Sequence, residues 1–368
     1  MGAVLNSFTR NVIRLIVGTM RLGPRALYDL LLGRYMEKYS SKYNEFGVGA
    51  LKNDTTVNFT DFKDAYFISK DGTKLHAVID SKTHRLQGKR SILMVHGFPE
   101  LWISWLNQLK HFSKLGHPVM ALSMRGYGLS DKPKDLKSYD KFVMIEDIRA
   151  SIQYLANDSG EGIAPLLVAH DWGAAICWEY AKQGRTTASK EIAGYASLST
   201  PPKECFRANL GLKQKWASLH AIFFNMSWLP EKIFLAFDGW FLGRILNGTK
   251  TLMLPAWISS TYRNNCLQDG AMTTQLNYYR ASIQIGSKTD PKDALGPQKG
   301  RDKIRRLDLP VLMIRGKDDR ALTDVVFKGY DRYLSNAKLI ALDDCSHWIQ
   351  ADKSPEVNKC LEKFLEEL

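Results

Sequence analysis

Short apolar runs alternate with longer amphipathic segments from about residue 60 onward, and this alternation predicts an α/β protein. Runs that are apolar throughout are typical of parallel strands buried on both faces, and the segments between them have the periodicity of crossover helices. We expect strands over 91–95, 117–123, 166–170, 193–198, 311–315 and 338–342, preceded by a hairpin of 64–70 and 74–80. Helices are expected near 103–115 and over 140–157, 174–182 and 355–368.

The pattern changes between residues 201 and 300. This segment is rich in Trp, Phe, Leu and Met at helical spacings and shows no strand alternation. It therefore predicts a helical cap inserted into the α/β core. A polar linker containing Gly and Pro, over 287–300, closes the insertion. The core is expected in two parts, residues 60–200 and 301–368.

Residues 1–45 form a third kind of segment. The stretch Val12–Gly33 is apolar but is interrupted by Arg and Asp residues. Its longest uncharged piece is far shorter than the ~20 residues that a membrane-spanning helix needs. Two short amphipathic helices are predicted instead. They would either lie on a membrane surface, giving peripheral membrane contact through residues 1–45, or pack against the core.

Composition bears on the partners and the compartment. The 368 residues carry a formal charge of +13, but the basic residues are spread along the chain and form no nucleic-acid motif. The five cysteines are odd in number and contain no CxxC pair, which argues against a disulfide framework or a zinc site. We expect no nucleic-acid partner, no metal and no organic cofactor. The expected location is cytoplasmic, either free or on the cytoplasmic surface of a membrane such as the endoplasmic reticulum.

The sequence Ala169-His170-Asp171-Trp172-Gly173 has the form of a nucleophile elbow. A buried strand ends in a sharp turn, a helix follows, and small residues stand two positions before and after the centre. The central residue is Asp171 instead of the more familiar Ser. A carboxylate with an ordinary pKa of about 3.9 is ionised at neutral pH and needs no base before it attacks. Attack on a saturated carbon would give an alkyl ester that water must then cleave. The alternative is an Asp that only caps the helix.

Two further polar residues follow later strands. Asp319 and His347 come after the expected strands 311–315 and 338–342, so both should lie at the sheet edge that carries Asp171. The order of nucleophile, acid and His is that of an α/β-hydrolase triad. We expect His347 to be the base for water and Asp319 to orient its imidazole, with Asp318 as a solvated neighbour. The backbone N–H groups of Phe98 and Trp172 are expected to form an oxyanion hole.

Four motifs together resemble those of the α/β-hydrolase-fold epoxide hydrolases, most closely the animal soluble and membrane-anchored branches. The motifs are His96-Gly97-Phe98-Pro99-Glu100, Arg125-Gly126-Tyr127-Gly128-Leu129-Ser130-Asp131, His170-Asp171-Trp172-Gly173 and Asp344-Cys345-Ser346-His347-Trp348. The resemblance covers about residues 60–368. It implies a mostly parallel, eight-stranded sheet with an inserted helical cap. It also implies an enzyme that opens epoxides with its Asp and releases vicinal diols after His and Asp activate water.

The resemblance further implies two cap tyrosines that hold and protonate the epoxide oxygen. The segment Asn277-Tyr278-Tyr279-Arg280 matches an Asn-x-Tyr-Arg motif and assigns one of them to Tyr279. A donor of moderate acidity is needed there because the ring oxygen leaves as an alkoxide. His220 stands where the other tyrosine is expected, and it could donate a hydrogen bond through one ring nitrogen.

Substrate contacts are expected from residues of both the cap and the core. They are His220, Trp172, Phe98 and Phe224. The apolar cap favours a small apolar epoxide, in particular a lipid or fatty-acid epoxide.

Two other functions use the same fold. A haloalkane dehalogenase shares the Asp nucleophile but grips a halide with Trp or Asn groups, and Trp172 could serve there. A non-catalytic, membrane-associated binding protein would keep the fold without turnover. The Asn-Tyr-Tyr-Arg match favours the epoxide hydrolase over the dehalogenase, and the intact triad argues against the binding protein, although His220 leaves it open.

Overall fold

A computed structural model describes seven stretches of the chain. They are residues 60–81, 84–160, 162–183, 191–246, 255–285, 296–298 and 301–368. The predicted amphipathic segment 1–45 lies outside these residues.

One eight-stranded sheet forms the centre of the molecule, with the strand order β1-β2-β4-β3-β5-β6-β9-β10. Strand β2 is antiparallel to both β1 and β4, and the remaining neighbours are parallel. Every residue of β3, β4, β5 and β6 is buried, which explains why their sequences are apolar without alternation. The ten described strands are β1 Phe62–Ile68, β2 Lys74–Asp80, β3 Ile92–Val95, β4 Val119–Ser123, β5 Leu166–His170, β6 Gly194–Leu198, β7 Gly296–Gln298, β8 Arg301–Arg305, β9 Val311–Gly316 and β10 Ala337–Leu342.

Helices follow most strands of the sheet and connect β6 to β7. Within the ranges given above, no helix is both long enough and apolar enough to cross a lipid bilayer. The helices are α1 Leu106–Lys114, α2 Lys141–Ser159, α3 Asp171–Gln183, α4 Lys203–Ala208, α5 Leu212–Ala217, α6 Leu219–Phe224, α7 Leu229–Leu246, α8 Ala256–Leu267, α9 Ala271–Arg280, α10 Ile349–Asp352 and α11 Ser354–Glu366. A turn of π-helix, Ala281–Ile285, continues α9.

Local sequence signals account for the ends of the longest core helix. The side chain of Asp140 accepts a hydrogen bond from the Phe142 N–H at 2.9 Å, so it caps the start of α2. The helix ends at Gly160, whose φ of 70° lies in the left-handed region that favours glycine. The predicted fold class, a mostly parallel sheet with inserted helices, is confirmed.

The segment after the helices differs from the expectation of a linker over 287–300. Strands β7 and β8 pair as a short antiparallel hairpin that is separate from the main sheet. The sequence of β8, Arg301-Asp302-Lys303-Ile304-Arg305, is mostly charged and has no apolar face to reveal a strand. The pairing therefore leaves no signal in the hydrophobic pattern.

A buried arginine joins the core to the inserted helices. The side chain of Arg125 is fully buried and donates two hydrogen bonds to Asp147 of α2, at 2.5 and 2.6 Å. It also donates to Asp71, in the turn between β1 and β2, at 2.9 Å. The backbone carbonyl of Arg125 accepts a hydrogen bond from the Tyr278 hydroxyl of α9 at 2.9 Å. This network fixes α9 above the carboxyl edge of the sheet.

Candidate active site

The turn between β5 and α3 places Asp171 in a strained conformation. Its φ is 47°, a value in the left-handed region that costs a residue with a Cβ about 1–2 kcal/mol. The space around the turn is very tight. A Cβ on Gly173 would lie 2.3 Å from the His96 carbonyl oxygen, and one on Gly97 would lie 2.4 Å from the Asp171 Cβ. The two glycines therefore allow the loop after β3 to contact the elbow directly.

This close approach gives the Asp171 carboxylate two fixed neighbours. Its Oδ1 accepts a hydrogen bond from the Phe98 backbone N–H at 2.8 Å, and its Oδ2 lies 3.4 Å from His347 Nε2. Burial acts to raise the pKa of Asp171, but the hydrogen bond and positive charge of His347 prevail and lower it to about 2. Asp171 is consequently a carboxylate at neutral pH.

His347 lies between two carboxylates. Its Nδ1 is 2.8 Å from Asp319 Oδ2, and Asp319 in turn accepts the backbone N–H groups of Ala321 and Leu322 at 2.8 and 2.9 Å. Burial opposes charge on the imidazole, but the charges of Asp319 and Asp171 raise the pKa of His347 well above its ordinary value. The ring is therefore cationic while Asp171 keeps its charge.

Asp318, the neighbour considered from the sequence, is exposed, whereas Asp319 is buried against the imidazole. The structure thus brings together the three residues that the sequence singled out, Asp171, Asp319 and His347. It brings them to the carboxyl ends of β5, β9 and β10.

A second hydrogen-bonded pair supports this group, and the sequence analysis gave it no role. His170 Nδ1 is 2.7 Å from Glu100 Oε2, and His170 Nε2 is 2.9 Å from the His347 carbonyl oxygen. Glu100 Oε2 also accepts the Gly97 N–H at 3.0 Å, and the Ser199 hydroxyl donates to the same His347 carbonyl at 2.9 Å. The pair therefore links the loop after β3 to the backbone of His347. The only sequence signal was the position of these residues, beside the elbow and at the end of the His96–Glu100 motif.

Tyr279 closes the site from the α9 side. Its ring centroid lies 4.8 Å from that of Trp172, 4.9 Å from that of Phe224 and 5.3 Å from that of Phe98. Burial raises the pKa of Tyr279 well above its usual value, and the charge of Asp171 raises it further. Tyr279 is therefore a neutral phenol, able to donate a proton.

His220 lies near Tyr279, with 6.2 Å between the ring centroids. Its Nδ1 is 2.9 Å from the Ala217 carbonyl oxygen, and because a carbonyl only accepts, this nitrogen carries the proton. Burial lowers the pKa of His220 to about 4, so the ring is neutral at pH 7 and Nε2 has a lone pair instead of a hydrogen. In this tautomer the Nδ1–H of His220 donates to the Ala217 carbonyl, and Nε2 has no hydrogen to donate.

A cavity of about 430 Å³ opens beside these groups. Asp171, Trp172, His220 and Tyr279 line it, with mostly apolar surface around them. In the described part of the chain, the rings of Phe98 and Phe224 are not among the lining residues; they pack against each other, with 5.5 Å between centroids. No group of three or more His, Cys, Asp or Glu side chains among the described residues is arranged to hold a metal ion.

Known proteins have sequences similar to that of this chain. A family model described as alpha/beta hydrolase fold matches residues 90–354, and the chain belongs to this family. Epoxide hydrolase 4 of Homo sapiens is 28% identical over 309 residues, which cover 82% of this chain and 78% of that protein. Epoxide hydrolase 3 of Mus musculus is 28% identical over 285 residues, which cover 75% of this chain and 71% of that protein.

A solved structure is similar over the same region. The crystal structure of a Bacillus megaterium epoxide hydrolase in complex with an inhibitor aligns with a TM-score of 0.68 at 28% identity. The alignment covers 82% of this chain and 100% of that one. The predicted resemblance to the epoxide hydrolases is confirmed by these relatives.

The contacts of His347 generate the first prediction. Replacing Asp319 by Asn should lower the pKa of His347, because it removes the carboxylate charge that raises that pKa most. The imidazole NMR signals would be titrated with pH, with His347→Gln identifying the signal among the eight histidines. The exposed Asp318→Asn is the matched control and should leave the titration unchanged. Equal shifts in both variants would contradict Asp319 as the partner of His347.

Proposed function

We propose that this chain is an epoxide hydrolase that forms a covalent ester on Asp171 and releases a vicinal diol. The observation that supports this most strongly is that a deprotonated group and a protonated group line the same cavity. An ionised carboxylate, Asp171, and a neutral phenol, Tyr279, both line it. A nucleophile and a proton donor on the same cavity are what the opening of a strained ether needs.

In the first step Asp171 Oδ2 attacks a ring carbon. We assign the attack to Oδ2 because Oδ1 is already held by the Phe98 N–H and becomes the ester carbonyl oxygen. The carbon–oxygen bond of the epoxide breaks, and Tyr279 gives its proton to the alkoxide. Once Asp171 is esterified, its negative charge no longer stabilises the proton on His347. The cationic His347 therefore gives this proton to the Tyr279 phenolate, which restores the phenol.

In the second step His347 acts as a base. Esterification removes the charge of Asp171, one of the two carboxylates that raise the pKa of His347, so this pKa falls and the imidazole, once it has given up its proton, stays neutral and available as a base. It takes a proton from water, and the hydroxide attacks the Asp171 carbonyl carbon. Phe98 and Trp172 N–H groups stabilise the oxyanion on Oδ1. Collapse of this intermediate releases the diol and regenerates the carboxylate.

His220 has a different part in this proposal from that of a second tyrosine. Since its neutral ring has the proton on Nδ1, it cannot donate to the epoxide oxygen from Nε2. We infer that Tyr279 alone protonates the leaving oxygen and that His220 contributes to the cavity wall. The apolar lining supports a lipid-like or aromatic epoxide as the substrate.

The ester is the feature to test. In His347→Gln the first step should proceed and the second should stall, so intact-protein mass spectrometry should detect an adduct of one substrate mass. The variant Asp171→Ala/His347→Gln is the control and should form none. An adduct in that double variant, or none in His347→Gln, would refute the proposed nucleophile.

A single turnover of the wild-type protein in oxygen-18 water tests the same ester independently. The first diol should contain unlabelled oxygen from Asp171, because water attacks the carbonyl carbon and not the substrate. Fully labelled oxygen in that diol would mean direct attack by water. Halide release from haloalkanes with no diol from epoxides would favour the dehalogenase.

Tyr279→Phe should slow ring opening by about 10²–10⁴-fold, the usual contribution of a positioned proton donor. The rate of adduct formation in the His347→Gln background measures this step alone. Tyr278→Phe is the matched control, because the Tyr278 hydroxyl donates to the Arg125 carbonyl. This substitution should lower the free energy of unfolding by about 1 kcal/mol and should slow ring opening far less than Tyr279→Phe does. If the two variants slowed the step equally, Tyr279 would not be the acid.

We also propose that residues 1–45, which lie outside the described ranges, contact a membrane surface. The argument is the sequence alone, with apolar positions interrupted by Arg residues. The full chain should co-sediment with anionic lipid vesicles at low ionic strength, and Arg14→Gln/Arg21→Gln/Arg25→Gln should weaken this. Failure of the wild-type chain to co-sediment would remove the proposal.

A further inference from the structure

The cavity that contains Asp171 extends along α3 toward a cluster of charged side chains. Ala175, Ile176 and Glu179 of α3 line it, and beyond Glu179 the lining includes Lys203 of α4. An α-helix rises about 1.5 Å per residue, so Glu179, eight residues after Asp171, lies about 12 Å along the helix. The nucleophile and the charged cluster are therefore at separate positions of one cavity.

Two lysines of this cluster are paired. Glu179 Oε2 lies 3.0 Å from Lys141 Nζ, and the other oxygen of Glu179 pairs with Lys182. Lys182 Nζ also lies 2.9 Å from Glu204 Oε1. These two carboxylates are thus occupied by Lys141 and Lys182, all of them largely buried.

Lys203 and Arg207 are different. Among the described residues, neither has a carboxylate within salt-bridge distance or a hydrogen-bond acceptor for its charged group. Both line the cavity, with Lys203 half-buried and Arg207 exposed at its outer part. The remaining acid on this lining, Asp140, already accepts the Phe142 N–H at the start of α2. Two positive charges therefore face the cavity without a bound partner from the described chain.

The surroundings of Lys203 favour an anion. Burial lowers the pKa of Lys203, and the positive charge of Arg207 lowers it further. A negative group between the two side chains would relieve this repulsion and form charge-assisted hydrogen bonds. Phe206 and Leu210, also on the lining, supply apolar surface next to the charges. A ligand with one anionic end and an apolar chain matches this combination.

We propose that Lys203 and Arg207 bind the carboxylate of an epoxy fatty acid whose hydrocarbon chain lies along α3, with the ring at Asp171. The assignment rests on the proposed epoxide hydrolase activity and adds the site that selects the substrate. Lys203 is close enough to Glu179 for their charges to interact, so the ~12 Å along α3 to Glu179 approximates the distance to the bound carboxylate. An extended chain advances about 1.2 Å per bond, so this distance corresponds to about ten bonds. The site therefore selects epoxides located about ten bonds from a free carboxylate.

The test compares the terminal epoxide of undecylenic acid with its methyl ester, which has the same chain but no charge. Wild-type protein should have the higher kcat/KM on the acid. In Lys203→Gln/Arg207→Gln the ratio of acid to ester should fall about tenfold or more, through KM, because the variant loses both charge-assisted hydrogen bonds to the carboxylate. The matched control is Lys359→Gln/Lys363→Gln, which removes the same charge from exposed positions of α11, outside the cavity lining. It should leave the ratio unchanged.

Chain length provides a second comparison. In the epoxide of pentenoic acid, the carboxylate and the epoxide ring are too close together for one to reach Lys203 and Arg207 while the other is at Asp171. Its turnover should not depend on Lys203 and Arg207. An acid-to-ester ratio that is the same in the wild type and the double variant, or that falls equally in the Lys359→Gln/Lys363→Gln control, would overturn the proposal.

Binding of undecanoic acid, which has no epoxide, separates this site from the reaction. Calorimetry should give a Kd about tenfold weaker for Lys203→Gln/Arg207→Gln than for the wild type. If that difference is found but no epoxide is hydrolysed, the proposed function fails and the carboxylate site stands. If epoxides are hydrolysed but undecanoic acid binds both proteins equally, the site fails and the function stands.

Discussion

The structure depends on one close contact, between the loop after β3 and the elbow after β5. Asp171 adopts a left-handed φ, and this conformation turns its carboxylate toward the Phe98 N–H. The contact is allowed only because Gly97 and Gly173 have no Cβ at the two points of closest approach. The local strain at Asp171 is maintained by the packing of two neighbouring, fully buried parallel strands, β3 and β5, which end at the loop and at the turn. The position and orientation of the Asp171 carboxylate therefore depend on the sheet.

Electrostatic interactions and burial then set the protonation state of each titratable group in the site. Burial disfavours the charged form of each of these groups. Asp171 and His347 nevertheless retain opposite charges because they face each other. Tyr279 and His220 have no opposite charge so close and are neutral. The pKa values of the carboxylate and the phenol move in opposite directions within one cavity. At neutral pH the carboxyl of Asp171 is therefore ionised while the phenol of Tyr279 keeps its proton.

The sequence predicted those features that arise from short, local patterns. The buried strands, the helix expected from residue 140 and the elbow at Asp171 each depend on a few neighbouring residues. The hairpin of β7 and β8 was missed because the β8 sequence is mostly charged and shows no apolar alternation. The Glu100–His170 pair and the tautomer of His220 depend on partners that are distant in the chain or on a backbone carbonyl, and neither leaves a periodic signal. Among the described residues, Lys203 and Arg207 have no ion-pair partner because the nearby carboxylates pair with Lys141 and Lys182, and the sequence does not reveal which lysine pairs with which acid.

The adjacent tyrosines of α9 have a consequence for how such a site can diversify. Tyr278 is hydrogen-bonded to the core backbone at Arg125, so it fixes the rotation of the helix and, with it, the direction of the next side chain, Tyr279. The short helix α4, which contributes Lys203 and Arg207, is a separate element of the cavity wall. In the proposed carboxylate site, substitutions in α4 alter which molecules bind but leave the orientation of Tyr279 unchanged. Selectivity and reactivity then depend on different helices, so each can change in evolution without the other.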